Sequence, residues 1–233
     1  MRIGVIIPAY NEAASLPRVL ADIPRQHVDE IIVVDNASTD DTAEVARANG
    51  ARVVREERLG YGYACAAGVA ALGPVDVVVQ MDADYSDQPA ELPLLLQPLI
   101  DNRADLVLGS RELGTCEVGA LQPHQRFGNW LTAQLMHGLY GVRVTDLGPF
   151  RAIRRTALER LALAERTYGW SVEMMVKAAR ARYRIVEVPV SYRARYAGQS
   201  KVSGTLKGSL KAGAVIIGTT LRHRSWQPTT KNE

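Results

Sequence analysis

Apolar and polar positions fall into short blocks along the first half of the chain. Ile3 to Ile7 is an apolar strand ended by Pro8, after which Leu16, Val19 and Leu20 repeat on one helical face. Ile31 to Val34 predicts a second strand, and the helix beyond it starts at a Ser38 or Thr39 cap and stops at Gly50. Arg52 to Val54 predicts a third strand, followed by a glycine-containing loop and an Ala-rich helix from Tyr63 to Leu72. Val75 to Asp84 reads as a buried central strand, because a β-branched run fills both faces of a covered sheet. Pro89 opens a helix through Leu92, Leu95, Leu96 and Leu99, and Asp105 to Leu108 is a fifth strand. Strands alternating with helices predict an α/β fold, a mostly parallel central sheet with helices on both faces.

The second half is less regular. Glu112 to Gln125 has turn residues and little periodicity, and predicts a loop. Phe127 to Leu139 and Ser171 to Ala181 read as helices, with an extended segment between Val142 and Ile153. Ile185 to Tyr192 alternates like a strand, and Leu206 to Leu221 predicts a weakly amphipathic helix with Lys207 and Lys211 on its wet side. No repeat or low-complexity linker interrupts the chain. The expectation is one domain over residues 1–204, a C-terminal helix at 205–224 facing a membrane or partner, and a disordered tail from Ser225 to Glu233.

Composition narrows the classes. The 233 residues, 47% hydrophobic, can build a substantial core, and a net charge of +3 without an aromatic and basic stripe argues against nucleic acid. Cys65 and Cys116 lie far apart without metal-ligand spacing, which fits a reducing compartment. His27, His124, His137 and His223 also lack ligand spacing, so zinc is not expected. No signal-peptide pattern opens the chain, and no apolar run approaches the ~20 residues that span a bilayer. These features predict a cytoplasmic protein, at most peripheral at the inner face of the membrane.

Chemistry concentrates where the central strand ends. Alternation aims Asp82 and Asp84 to one side at its carboxyl end, where open α/β sheets bind ligands. Two such charges repel unless a cation or basic groups lie between them, and a hard divalent ion completed by substrate phosphates fits that need. An Asp-rich turn is the plainer alternative.

Three stretches end successive strands: Val5-Ile6-Ile7-Pro8-Ala9-Tyr10-Asn11-Glu12, Val33-Val34-Asp35-Asn36-Ala37-Ser38-Thr39-Asp40 and Met81-Asp82-Ala83-Asp84. In this order they resemble the GT-A fold of family 2 inverting glycosyltransferases, a Rossmann-like sheet. Gly109-Ser110-Arg111, Asp146 to Arg151, Gly169 to Glu173 and Arg195 to Lys201 resemble the polyprenyl-phosphate hexosyltransferase branch, which includes dolichyl-phosphate mannose synthase and its glucosyl relatives. The resemblance covers about residues 3 to 204.

The resemblance implies a donor site. Pro8, Tyr10 and Glu12 would border the nucleotide, and Val33 and Asp35 would meet ribose or base. Asp35 reads equally as an Asx-turn, and Asn36 stands where the family usually has a second Asp. Asp82, Ala83 and Asp84 would meet the diphosphate through Mg²⁺ or Mn²⁺, Asp84 as direct ligand and Asp82 facing ribose or bridging through water. Arg195 and Lys201 would assist the leaving group from a loop that Gly198 makes flexible. A solvated basic loop is the alternative for that pair. Arg111 would touch donor sugar or acceptor phosphate, Arg126 the acceptor phosphate, and Trp170 would stack on sugar or fill core.

A phosphate acceptor attacks without help, whereas a hydroxyl needs a base. Asp146 and Glu173 are the candidates, each with a structural alternative: Asp146 as partner of an Arg, Glu173 as a helix-face residue. The function implied is metal-dependent, inverting transfer of a hexose from UDP-glucose or GDP-mannose to a polyprenyl phosphate. A soluble hydroxyl acceptor, or nucleotide-sugar binding without turnover, are the alternatives. A nucleotidyltransferase is disfavoured because the loop after the first strand lacks glycine and cation. A lipid acceptor predicts an apolar, basic surface near residues 112–130 and 205–224, with Arg222 and Arg224 near head groups. Oligomeric state is not legible.

Overall fold

The computed structural model describes residues 1–198 and 206–228, with backbone alone over 206–212. Lys201, the side chains of Lys207 and Lys211, and tail residues 229–233 lie outside the described residues. The elements are β1 (Ile3–Ala9), α1 (Leu16–Asp22), β2 (Glu30–Asp35), α2 (Thr42–Ala48), β3 (Arg52–Arg55), α3 (Tyr61–Ala71), β4 (Val77–Gln80) and α4 (Leu92–Ile100). There follow β5 (Leu106–Cys116), α5 (Pro123–Tyr140), β6 (Arg151–Arg154), α6 (Arg155–Leu161), α7 (Trp170–Arg180), β7 (Ile185–Tyr192) and α8 (Leu206–Arg222).

Seven strands form one sheet in the order β3-β2-β1-β4-β6-β5-β7. β6 runs against both its neighbours, and the other pairings are parallel. The mostly parallel α/β sheet expected from the hydrophobic pattern is therefore present. Alternation along the strands divides the core into two layers. Val5, Ile7, Val33, Val77 and Val79 pack toward α1, α2 and α4. Ile6, Ile32, Val34 and Val78 pack toward α3, α5, α6 and α7.

Several boundaries differ from the sequence reading. β1 continues through Pro8, because a proline near a strand end forfeits one ladder bond and no more. β4 ends at Gln80, so Asp82 and Asp84 follow the strand instead of ending it. β5 runs to Cys116 and pairs with β7 across an irregularity between Ser110 and Thr115, so much of the expected loop is strand. Long-range pairing overrides a weak local pattern there. α2 begins after Asp41, three residues beyond Ser38, whose hydroxyl instead accepts from Asn11 N at 3.0 Å. α6 has no counterpart in the sequence reading.

α8 packs on α5 and α7, and the Tyr140 hydroxyl donates to Thr220 O. Order extends into the expected tail: Trp226 lies over Lys177 and its carbonyl accepts from Arg180 Nε at 3.0 Å. Among the described residues no helix is long and apolar enough to cross a membrane.

Candidate active site

β4 gives way to a tight bend in which Tyr85 adopts φ 62°. Gln80 shares parity with Val78 and turns toward α3 and α7, and Asp82, beyond the end of the strand, is reached by Tyr61 of α3. The Tyr61 hydroxyl donates to Asp82 Oδ1 at 3.0 Å and accepts from Gln80 Nε2 at 2.7 Å. Gln80 Oε1 accepts from the Trp170 indole at 3.1 Å. Asp84 turns the other way. Its Oδ1 accepts from Ser86 N at 2.9 Å and Ser86 Oγ at 2.5 Å, while Oδ2 lies 2.9 Å from Arg195 Nη2.

Arg195 spans two carboxylates, reaching Glu12 Oε1 at 2.5 Å with Nη1. Ser15 Oγ lies 2.8 Å from both Glu12 Oε2 and the Ala83 carbonyl, tying the loop after β1 to the bend after β4. Glu12, Asp84 and Arg195 therefore meet although the chain separates them widely. Lys201, their expected companion, lies outside the described residues.

Crowding of negative charge is the dominant electrostatic feature. Burial, followed by repulsion from Asp84, pushes the Asp82 carboxyl up to about 7, and the Tyr61 hydrogen bond and Arg195 only partly offset this. Asp87 is pushed up by burial and by the same two aspartates. Its Oδ2 accepts from Asp82 N at 3.3 Å, while Oδ1 is buried with no hydrogen-bond partner among the described residues. A divalent cation beside Asp82 and Asp84 would relieve this repulsion, so the residues fit such an ion. Among the described residues no set of three His, Cys, Asp or Glu side chains encloses a metal site. An ion held by one or two carboxylates keeps positions for phosphate oxygens, as a nucleotide-bound cation requires.

A cavity of about 530 Å³ opens beside the bend, lined among others by Pro8, Tyr10, Asn36, Gly60, Tyr61 and Val215. Asn36 spends its amide on one wall: Nδ2 donates to Glu56 O at 3.0 Å and Arg58 O at 2.8 Å, and Oδ1 accepts from Gly60 N at 2.9 Å. Gly60 adopts φ 153°, and a Cβ there would sit 2.6 Å from the Arg166 carbonyl. Asp35 is buried, accepting from Ser38 N at 3.0 Å and pairing with Arg55. Burial raises its carboxyl, but the Ser38 and Arg55 bonds outweigh this and hold it below the usual range. The Asx-turn alternative thus describes Asp35 Oδ1. Val33 is fully buried in the core layer toward α1, so its side chain packs with apolar neighbours and does not line the cavity of Pro8 and Tyr10.

Expected acceptor-side residues divide. Arg111 grips Asp146 with Nε on Oδ2 and Nη2 on Oδ1, both at 2.6 Å. Asn129 Nδ2 and Leu147 N add bonds to Oδ1 at 2.8 and 2.7 Å. Burial raises Asp146, but Arg111 more than reverses it, so this carboxylate is an ionised partner and not a poised base. Glu173 is likewise committed: Oε1 pairs with Lys177 Nζ at 2.7 Å, and Oε2 accepts from Ala164 N at 3.0 Å and Glu165 N at 2.7 Å. Trp170 is buried in the core layer beneath α3, so the core alternative holds and not acceptor stacking. Arg126 is exposed and lines a second cavity, about 380 Å³, with Glu112, Asn129, Trp130 and Thr145.

Sequence reasoning passed over Tyr61, Gln80, Asp87, Asn129 and the fully buried Arg151, whose Nη1 donates to Ser171 O at 3.0 Å. The one available signal was Gln80, a polar residue closing an otherwise apolar strand.

The family described as Glycosyl transferase family 2 matches residues 4–162. An uncharacterised glycosyltransferase of Mycobacterium tuberculosis is 43% identical over 211 residues, covering 90% of this chain and 94% of that protein. The undecaprenyl-phosphate mannosyltransferase of Micrococcus luteus is 36% identical over 222 residues, covering 89% and 90%. Among solved structures, glucosyl-3-phosphoglycerate synthase of Mycobacterium tuberculosis, in complex with Mn²⁺, UDP and glucosyl-3-phosphoglycerate, superposes with a TM-score of 0.77 at 27% identity, covering 98% of this chain and 81% of that one.

Proposed function

The chain belongs to glycosyl transferase family 2 and is a glycosyltransferase; on that footing we propose that it moves a hexose from a nucleoside diphosphate sugar to a polyprenyl phosphate with inversion. The observation that carries the reading is the meeting of Asp82, Asp84, Glu12 and Arg195 beside the cavity of Pro8, Tyr10 and Tyr61. Pro8 and Tyr10 form a wall for the nucleotide, and the two aspartates hold Mg²⁺ or Mn²⁺ against the diphosphate. The cation, when bound, neutralises charge on the departing nucleoside diphosphate. Arg195 stands on Asp84 from a segment clipped to the bend, which positions its guanidinium to meet the same charge. Lys201 is proposed as its partner on sequence grounds alone.

The proposed acceptor class is supported by the engagement of the two candidate bases. Asp146 and Glu173, the two candidate bases, have their oxygens engaged by Arg111 and Asn129, and by Lys177 and backbone amides. Either of them, to serve a hydroxyl acceptor, would have to break a buried ion pair. A phosphate monoester is already anionic and requires no base. Arg126, Asn129 and Trp130 offer it a basic, partly apolar cavity. The named activity of the Micrococcus luteus relative supports a lipid phosphate, while the glucosyl-3-phosphoglycerate held by the solved neighbour keeps a soluble hydroxyl acceptor as the second reading.

Release of UDP from UDP-glucose and of GDP from GDP-mannose tests both. Release that needs a polyprenyl phosphate and stops with a chelator supports the proposal. Release with a soluble hydroxyl acceptor alone moves the acceptor class, and binding without release under any condition overturns the transferase role of this site.

A further inference from the structure

Behind Asp82 lies a buried polar chain that the proposed reaction does not itself explain. Trp170 opens α7, Gln80 ends β4 and Tyr61 opens α3, and their side chains join in series onto Asp82 Oδ1 at 3.1, 2.7 and 3.0 Å. Gln80 is 2% exposed at the end of a valine strand. An amide there costs free energy unless both its ends are bonded, and both are.

The polarity of the chain is determined by chemistry. An indole N–H only donates, so Gln80 turns its oxygen to Trp170 and its NH₂ to Tyr61. The Tyr61 oxygen thereby accepts, and its one hydrogen is left for Asp82. Burial holds the phenol well above its ordinary range, so the hydrogen stays in place. Asp82 needs such a tether. It lies beyond the last residue of β4, and Asp84 repels it.

We propose that Tyr61 is a positioning residue for the cation: its hydroxyl, oriented by Gln80 and Trp170, fixes Asp82 Oδ1 and leaves Oδ2 for the ion. This rests on the reading of Asp82 and Asp84 as the cation's carboxylates. The tether acts on binding of the metal, since Tyr61 does not touch the bond that breaks.

The test is Mn²⁺ titration of the full chain, alone and with UDP or GDP, with free Mn²⁺ followed by electron paramagnetic resonance. Tyr61→Phe keeps the ring and removes the hydroxyl. It is expected to bind Mn²⁺ about tenfold more weakly, the size of one hydrogen bond to a charged group. Tyr61→Phe also leaves the buried Gln80 Nε2 without its acceptor, so its melting temperature is expected to fall. Mn²⁺ is therefore titrated at a temperature where circular dichroism shows both proteins fully folded. Rate lost at low Mn²⁺ is recovered as Mn²⁺ is raised, a pattern that a loss of structure would not produce. Gln80→Leu is expected to weaken Mn²⁺ in the wild-type background and to add little in Tyr61→Phe, because the path is already cut. Trp170→Phe serves if Gln80→Leu fails to fold. Equal Mn²⁺ affinity in wild type and Tyr61→Phe overturns this inference alone. No Mn²⁺ binding by the wild type under either condition overturns it together with the metal reading.

Discussion

Asp84 joins the bend after β4 to Arg195 and, in the proposed reaction, to the metal. Asp84→Ala should lower nucleoside diphosphate release by about a thousandfold, since a bound metal supplies several kcal/mol of charge stabilisation. Its melting curve should stay close to wild type, and an unimpaired rate would count against the metal role. Asp82 carries the pH dependence. Burial and repulsion from Asp84 push its carboxyl up to about 7 in the folded chain, above its ordinary value of 3.8, so the folded state holds the proton more tightly. The stability this adds is complete below about 3.8 and is lost as pH rises through about 7. The melting temperature of metal-free Asp82→Asn should therefore rise relative to wild type across that window, and added Mg²⁺ should narrow the gap. Asp146 separates a structural carboxylate from a base. Asp146→Asn strands the buried Arg111 without its counter-charge and should cost about 3–5 kcal/mol in denaturant unfolding. A true base would instead lose rate at unchanged stability.

The segment after β7 shows how an element governs the site. Arg193 N donates to Ser86 O at 3.0 Å and Tyr196 N to Asp84 O at 3.2 Å, so this backbone runs against the aspartate bend. Arg18 lies 4.2 Å from the centroid of the Tyr196 ring, which also meets Tyr85 edge-on at 6.3 Å. Each such contact is worth about 1 kcal/mol. Tyr196→Ala should then lower kcat/KM about tenfold by loosening Arg195, with little effect on unfolding measured by circular dichroism. The segment was legible in the sequence as polar, basic and glycine-containing, but its landing place was not. The five strands of the first half were legible because each carries its own apolar run. β5 beyond Ser110 was not, since Glu112, Gly114 and Thr115 lack strand patterning and pairing with β7 resumes at Thr115 after an irregularity.

At the scale of the whole molecule, several of the exposed large apolar side chains among the described residues fall between residues 112 and 130: Leu113 at 52% exposure, Val118 at 98%, Phe127 at 61% and Trp130 at 55%. Phe127 and Trp130 lie 5.8 Å apart on α5, beside the cavity of Arg126. Were the proposed lipid acceptor to dock at residues 112–130, burying each ring in a bilayer would contribute about 1.5–3 kcal/mol. The double variant Phe127→Ser, Trp130→Ser should lose at least about tenfold in vesicle co-sedimentation and in turnover with polyprenyl phosphate, while a water-soluble short-chain acceptor phosphate is used as before.

Strand periodicity, the order of the motifs and the Asp82–Asp84 pair are properties of neighbouring residues, so the amino-acid sequence alone specified the layered sheet and the end of it at which the proposed site lies. Folding decided which oxygens are already taken. Arg195 reaches Glu12 across 183 positions, Trp170 reaches Gln80 across 90, and Arg111 closes on Asp146 across 35. A local pattern holds no record of such meetings, because a hydrogen bond is made by distance in space, and that distance is set by strand order and not by separation along the chain.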